Sequence, residues 1–452
     1  MTIPAFFLEP RSLLERWADV LMHPELLHGV SALPDPLARL KAITRWYLSG
    51  WHYKTVGVKK PFNPIVGETF ACAWPHADGS RTQYFAEQVS HRPPISAIYF
   101  ENAAHHISCN AHVWTKGQFQ APQTTKSILD GACSALRREA GSRARAARHA
   151  AHRADPNRPS RPSPSPAVLR LTNLDEEYYI TFPTFNCHNL LIGTMRLEVG
   201  DSARIVCKRT GLSATLDFHQ LTMFSAADRL NSVAVKLVRD GGKGGEEVLV
   251  KLHGHWDKQI FETLPTGEEE VRAGRGGGRG AHAGAHDPIL PPPPFPAQLF
   301  LDIASLPVAA KHVLPVSEQG PWESRRLWQH TTAALGTRPA VDWMAVEREK
   351  GQLEEEQRLL ACHARAGSAE FRAWPTKCFA TRAVRDETTG ATRELFAFTG
   401  APAAGAPPLD VLALSRDLPD ERGGRGGAGA VADVVAATRG VKLSAARAKD
   451  WA

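Results

Sequence analysis

Nowhere in the chain do apolar residues run on for the roughly 18–20 positions that a membrane-spanning helix requires, so no segment reads as transmembrane. The N-terminal MTIPAFFLEPRSLLERW opens apolar but meets Pro4, Glu9 and Pro10 too early to form the core of a signal peptide. Cysteine is scarce and scattered. The seven, Cys72, Cys109, Cys133, Cys187, Cys207, Cys362 and Cys378, share no C-x-x-C spacing, which argues against a zinc or dithiol redox site and for a reducing compartment. There is no G-x-S-x-G elbow, and the adjacent Ser90 and His91 cannot adopt nucleophile–base geometry, so a hydrolase reading has no footing. A repeat of fixed period is missing too, which removes solenoids and propellers. These absences lead to the expectation of a cytoplasmic protein that is not an enzyme and uses no cofactor or metal.

What is present is enough apolar material, 43% of 452 residues, to bury a large core. The net charge of +7 suits an anionic partner such as nucleic acid or a membrane surface. Much of the arginine, however, lies in one Ala-rich, Pro-flanked stretch from Arg137 to Arg161 followed by PSPSP, a composition that reads as disordered. Low-complexity insertions are therefore expected at about 121–166 and 272–295, as surface loops, with a poorly ordered Ala/Gly-rich tail over 400–452 and a single domain over 3–380. The Arg-rich tracts leave nucleic-acid binding as an alternative, though an unlikely partner given that it accounts for nothing else in the chain.

Helical spacing shows in Leu13, Leu14, Trp17 and Leu21, then in Leu37, Leu40, Ile43 and Tyr47. From Phe62 onward the texture becomes short β-branched and aromatic runs: TFACAW, TQYFAEQV, ISAIYF and HHISCNAHVW before the first insertion, then EEYYITF, NLLIGTMRLEV, ARIVCKR, LSATLDFH, SVAVKLVR, EEVLVKLHGHW and QIFETL. Short turns such as VGDS and RDGG are expected to join most of them. After residue 320 the helical period returns, in Trp322 to Leu335 and in the charged Val341 to Leu360. Helices, a long meander and helices again predict a β-rich α+β fold with a large antiparallel sheet or barrel.

Two segments are specific. Lys59-Lys60-Pro61-Phe62-Asn63-Pro64-Ile65-Val66-Gly67-Glu68-Thr69 and Glu87-Gln88-Val89-Ser90-His91-Arg92-Pro93-Pro94 resemble, in order, the KPxNPxxGE segment and the EQVSHHPP signature of the oxysterol-binding protein family. The likeness continues in ITRWYLSGWH, ITFPTFNCHNLLIGTMRLEVG, HGHWDKQIF, WESRRLWQHTTAALG and LEEEQRLL. It implies an incomplete antiparallel β-barrel around a hydrophobic tunnel, flanked by helices at both ends. It also implies non-vesicular lipid transfer, with phosphatidylinositol 4-phosphate exchanged for a sterol or phosphatidylserine by a monomer that touches membranes only peripherally. A lipid sensor or tether without net transfer is the alternative within that reading.

A phosphoinositide headgroup is multiply anionic and rich in hydroxyls, so it needs converging cations and hydrogen-bonding side chains. Lys60, His91, Arg92, Lys350 and Arg358 supply cations, and Asn63 and Glu354 suit inositol hydroxyls. Lys350, Glu354 and Arg358 fall at i, i+4 and i+8, on one helix face, and the resemblance assigns matching positions to the headgroup. By themselves these three are an ordinary salt-bridged surface worth about 0.3–0.5 kcal/mol per pair; the two upstream motifs lift them above that. The five cations are expected to meet at one pocket entrance. Gly67 and Pro64 suit backbone geometry, and Glu68 is open to a structural or a ligand role. The chain departs from the pattern at Arg92, where a second histidine is usual and a permanently charged fork stands instead. It also begins almost at IPAFFLEP, so the amphipathic lid that closes the tunnel in the family is expected to be missing or short.

Overall fold

The computed structural model describes residues 8–53, 59–91, 94–121, 124–129, 167–188, 196–221, 229–241, 245–263, 297–336, 341–366, 376–388, 390–400 and 410–416. The two Arg- and Gly-rich tracts and most of the tail lie outside them.

The chain enters through strand β1 (Leu8–Ser12), helix α1 (Leu13–Ala18) and helix α2 (Pro36–Ser49). Asp35 starts α2 by accepting hydrogen bonds from the Leu37 and Ala38 amides, both at 3.1 Å, while Pro36 fills the first helical position, where an amide hydrogen is not needed. Then come β2 (Lys60–Phe62), β3 (Thr69–Pro75), β4 (Arg81–His91), β5 (Pro94–Asn102), β6 (Ile107–Ala121) and β7 (Thr124–Leu129). Beyond the first undescribed tract follow β8 (Ala167–Leu171), β9 (Glu176–Ile180), β10 (Thr184–His188), β11 (Arg196–Cys207), β12 (Leu212–Phe218), β13 (Ser232–Asp240), β14 (Glu246–His255), β15 (Gln259–Thr263) and β16 (Ala297–Asp302). Helices α3 (Ser324–Leu327), α4 (Gln329–Leu335) and α5 (Trp343–Ala366), hairpin β17 (Phe379–Arg385) and β18 (Thr392–Phe398), and helix α6 (Val411–Arg416) complete it.

Strands β3 to β16 form one 14-stranded antiparallel sheet whose outer strands, β3 and β16, do not pair with each other, as in an incomplete barrel. Long β6 and β11 each change partner along their length. β6 pairs first with β8 and then with β7, and β11 first with β10 and then with β9, so the β8–β9 hairpin is wedged into the sheet. The sequence VGDS, read as a turn, lies inside β11. Asp201 takes a left-handed φ of 62°, a conformation that aspartate tolerates, and accepts a hydrogen bond from the Thr184 hydroxyl at 2.8 Å, so the strand kinks there and continues. At RDGG, β13 ends with Asp240 and the Gly241 amide donates to the Gly245 carbonyl at 2.9 Å, just before β14; residues 242–244 lie outside the described residues.

The main core lies between the helices and one face of the sheet. Leu14, Trp17, Leu40, Ile43, Trp46, Tyr47 and Trp51 pack there against Phe70, Tyr84, Phe100, Leu169, Ile205, Leu216 and Val235. Arg39 crosses from α2 to β9, where its guanidinium forks onto the buried Glu176 at 2.6 and 3.0 Å. The opposite face of β4 and β5 is covered as well: Phe85, Val89, Ala97 and Tyr99 pack against Phe379, Phe398, Val411 and Leu412. Two boundaries are thereby corrected. The domain limit at 380 falls within β17, and the 400–452 tail contributes α6, because these strands carry apolar residues on both faces and need a second cover. The insertion start at 121 is corrected likewise, since Thr124–Leu129 is a strand paired with β6 and β10.

One charged network fastens the N-terminal helix to the late chain. Asp19 accepts from Lys311 at 2.8 Å, Arg11 at 2.7 Å and Arg16 at 3.1 Å, while Glu15 is bonded by Arg325 at 2.8 and 3.1 Å. Burial raises the Asp19 carboxyl, but Lys311 and Arg11 more than offset it and the net displacement is downward. Such a carboxylate stabilises the fold above its unfolded value, and that increment disappears as pH falls through the lower folded value. Asp19→Asn is expected to lose about 1.5 kcal/mol at pH 7 and progressively less below about pH 4, read as the gap between variant and wild-type denaturation curves across pH.

Candidate functional site

Lys60, Lys350 and Glu354 are brought together from positions some 290 residues apart. Lys60 stands exposed at the start of β2, which runs parallel to β1 and is anchored by fully buried Phe62 stacked on Trp328 at 4.6 Å. Lys350 lies on α5 between Val346 and Leu353, both buried in a cluster with Leu8, Phe62, Ile65, Trp322 and Trp328. This packing holds its side chain to 13% exposure, and its ammonium pairs with Glu354 at 3.1 Å, one turn on. The Lys60 ammonium is displaced below its ordinary range, by burial first and by the like charge of Lys350 next, with Glu354 acting in the opposite sense. Two cations and one carboxylate thus share a partly desolvated patch with a surplus of positive charge, an arrangement that an anion relieves.

The other residues expected at the headgroup lie on the following elements. Asn63 is exposed in the loop after β2. Arg358 belongs to α5, four residues beyond Glu354, with its side chain outside the described residues. His91 closes β4, exposed, in register with Pro94 of β5; Arg92 and Pro93 between them are not among the described residues. At the other end of α5's first turn, Trp343 and Met344 are exposed at 41% and 82%.

The signature residues before His91 have structural occupations. Glu87 is fully buried and accepts the backbone N–H groups of Lys377 at 2.8 Å and Cys378 at 3.0 Å. Gln88, also buried, donates to the Ser90 carbonyl at 2.8 Å and accepts from the Ser96 hydroxyl at 2.7 Å, across a bulge between Gln88 and Ser90 that aims the end of the strand. Val89 packs under the C-terminal hairpin.

Glu68 is settled as structural. Wholly buried, it accepts from Ser12 Oγ, from Ser324 Oγ at 2.7 Å, from Trp328 Nε1 at 2.9 Å and from the Ile65 amide at 3.0 Å. Burial pushes its carboxyl above the usual range and these four donors pull against it. Gly67 next to it has a φ of +81°, donates to the Gln88 carbonyl at 2.8 Å and accepts from Lys377 Nζ at 3.2 Å, while that ammonium lies 4.1 Å over the Trp322 ring. Ser12, Ser324, Trp328 and Lys377 were not singled out from sequence as site residues; Ser324 and Trp328 stand inside WESRRLWQHTTAALG, which resembles the family, whereas Lys377 had no local signal.

The comparisons identify a family and a fold. The family model described as oxysterol-binding protein matches residues 1–341. The oxysterol-binding protein-related protein 5 of Mus musculus is 33% identical over 371 residues, which are 80% of this chain and 34% of that protein. Related protein 8 of Homo sapiens is 33% identical over 381 residues, 84% of this chain and 35% of that protein, so the chain spans about a third of the length of these relatives. Among solved structures, the Osh1 ORD domain in complex with cholesterol superposes with a TM-score of 0.60 at 18% identity, covering 88% of this chain and 82% of that one. The Osh3 ORD in complex with PI(4)P from Saccharomyces cerevisiae gives 0.52 at 15% identity, covering 87% and 85%. Among the described residues no helix is long and apolar enough to cross a membrane. An open antiparallel sheet capped by helices, interlocked through the buried glutamates of both sequence motifs and matched by a family model over three quarters of its length, establishes that the chain belongs to the oxysterol-binding protein family.

Proposed function

We propose that this chain binds the headgroup of phosphatidylinositol 4-phosphate at the Lys60–Lys350–Glu354 patch, completed by Asn63, His91, Arg92 and Arg358, and carries the lipid between membranes in exchange for a sterol or phosphatidylserine. The observation that carries this is the surplus positive charge built by residues from β2 and α5. Holding two ammonium groups together costs energy in the free protein, and a phosphate offsets it with charge-assisted hydrogen bonds of about 1.5–3 kcal/mol each. The solved relatives support it by their ligands, cholesterol in one and PI(4)P in another. Exposed Trp343 and Met344, two turns ahead of Lys350, provide apolar contact for a bilayer interface beside the patch, which fits a peripheral monomer that docks and withdraws.

The test is extraction of labelled lipids from liposomes by wild type and by Lys60→Ala, Lys350→Ala and His91→Ala, with folding checked by thermal melting. Each substitution should lower phosphoinositide extraction about tenfold, the equivalent of some 1.4 kcal/mol, and change extraction of the second lipid less. Unchanged phosphoinositide extraction in all three would remove the headgroup assignment. A donor-to-acceptor liposome assay separates transfer from sensing, since a sensor extracts lipid without delivering it.

A further inference from the structure

At the far end of β4 from His91, about 33 Å away along ten strand residues, three chain segments meet around a group of imidazoles. His28 comes from the loop after the short turn Pro24–Leu27, His76 and Asp78 from the β3–β4 turn, and His105 from the turn Ala103–His105 before β6. The His28 and His105 rings stack at 3.9 Å, and His76 meets His28 edge-on at 4.3 Å. Asp78 Oδ2 lies 2.7 Å from His105 Nε2 and 3.9 Å from His28 Nδ1.

We propose that His28, Asp78 and His105 form a site for a divalent transition-metal ion of the zinc type, with the fourth position left to solvent. One ligand atom from each of the three lies within 4.8 Å of the others, so an ion at their centre is within about 2.8 Å of each, and a closure of less than 1 Å reaches zinc's bond lengths of about 2.0–2.2 Å. The ion would replace the proton that His105 shares with Asp78. Two nitrogens and one carboxylate oxygen form a donor set suited to zinc and its neighbours and poorly suited to calcium or magnesium, which prefer six or more oxygens or an octahedral water shell.

The surroundings hold the ligands in place. The Ser80 amide donates to Asp78 Oδ1 at 2.9 Å, fixing the carboxylate while its other oxygen faces the histidines. Buried Asn102 lies 3.4 Å from His28 Nε2, donates to Ser80 Oγ and Thr82 Oγ1, both at 3.2 Å, and accepts from the His105 amide at 3.4 Å. Thr82 Oγ1 also lies 2.8 Å from His76 Nε2. This is the outer layer of hydrogen bonds that metal-binding imidazoles use for orientation.

Isothermal titration of the full chain with zinc chloride, alongside calcium and magnesium chloride, tests this. Nineteen histidines give weak background, so the informative comparison is between proteins. Wild type should take one tightly held zinc, melt at a higher temperature with it, and develop visible d–d bands when cobalt(II) is titrated in its place. His28→Ala and His105→Ala should each weaken that equivalent at least tenfold and lose the cobalt bands. Asp78→Asn, which keeps the Ser80 hydrogen bond and the turn, should do the same if a histidine variant fails to fold. The proposal is overturned if wild type shows no saturable zinc equivalent, or if that equivalent survives unchanged in the variants. Because the site lies at the opposite end of β4 from His91, phosphoinositide extraction should be unaffected by these substitutions.

Discussion

Replacing Glu68 by alanine should cost about 3–5 kcal/mol of unfolding free energy, a large share of the ~5–15 kcal/mol that a domain has in total. The expectation follows from what would be left behind. The hydroxyls of Ser12 and Ser324, the indole N–H of Trp328 and the Ile65 amide converge on one carboxylate with no solvent access, and each becomes a buried donor without its acceptor when the carboxylate is removed. Those donors also come from three regions of the chain: the strand before α1, the KPFNPIVGE loop and the WESRRLW helices. Glu68→Ala should therefore loosen β2 and α5's neighbours together, and lower lipid extraction through loss of folded protein. Glu68→Gln, which keeps one acceptor oxygen, should lose roughly half as much. Chemical denaturation by circular dichroism measures both. A variant that unfolds with wild type would mean that the carboxylate is not the junction of these segments.

The same residue illustrates how far the sequence could be read. KPFNPIVGET is specific enough to place the chain in its family, yet the motif alone left Glu68 open between ligand and scaffold, because a glutamate's role depends on donors that arrive from Ser12 and Ser324, 56 and 256 residues away. Strands were legible wherever one run of β-branched and aromatic residues met one turn, as in LSATLDFH and SVAVKLVR. They were illegible where a strand kinks without stopping: Asp201 and its neighbours have turn composition, but pairing on both sides carries β11 through them. The second cover was written in the sequence in a less obvious form. Within YFAEQV, Tyr84, Phe85 and Ala86 are apolar at three successive positions, and a strand facing water on one side would alternate. Tyr84 and Ala86 belong to the main core, Phe85 and Val89 to the other, so the continuous run was the mark of a layer still to come from residues 379–412. Of the patch proposed for the headgroup, the sequence showed the residue types and the helix spacing that pairs Lys350 with Glu354; their meeting with Lys60 depends on how β2 and α5 pack through Phe62, Val346 and Leu353, which no local pattern encodes. The three imidazoles at the β3–β4 turn were invisible for a related reason, as positions 28, 76 and 105 have no spacing in common.

Glu87→Ala should release that second layer before it unfolds the rest. Phe85, Glu87 and Val89 alternate along β4 and so share the face covered by the C-terminal hairpin. The two apolar residues pack against it, Phe85 lying 6.2 Å from Phe379 and 5.6 Å from Phe398, centroid to centroid. Between them the buried carboxylate of Glu87 binds the Lys377 and Cys378 amides at the point where the chain returns to the sheet. Alanine strands both amides in an apolar interface, at about 1–3 kcal/mol for each, and removes the only charge that compensates them there among the described contacts. The cost, about 2–6 kcal/mol in sum, falls on a unit otherwise held to the sheet by apolar contact and by three hydrogen bonds, from the Phe398 amide to Asn110 at 2.7 Å, from the Val411 amide to Gln83 at 3.0 Å and from Lys377 Nζ to the Gly67 carbonyl at 3.2 Å, so local opening is the cheaper response. Native-state hydrogen exchange should show β17 and β18 losing protection a hundredfold or more, while β12 to β14, whose ladders do not touch the hairpin, keep most of theirs. Limited proteolysis should cut near residue 376 in the variant and spare the same bond in wild type. Equal protection of the hairpin in both proteins would show that Phe379 and Phe398 hold the layer unaided; a uniform loss across all strands would show that the second cover and the sheet unfold as one unit.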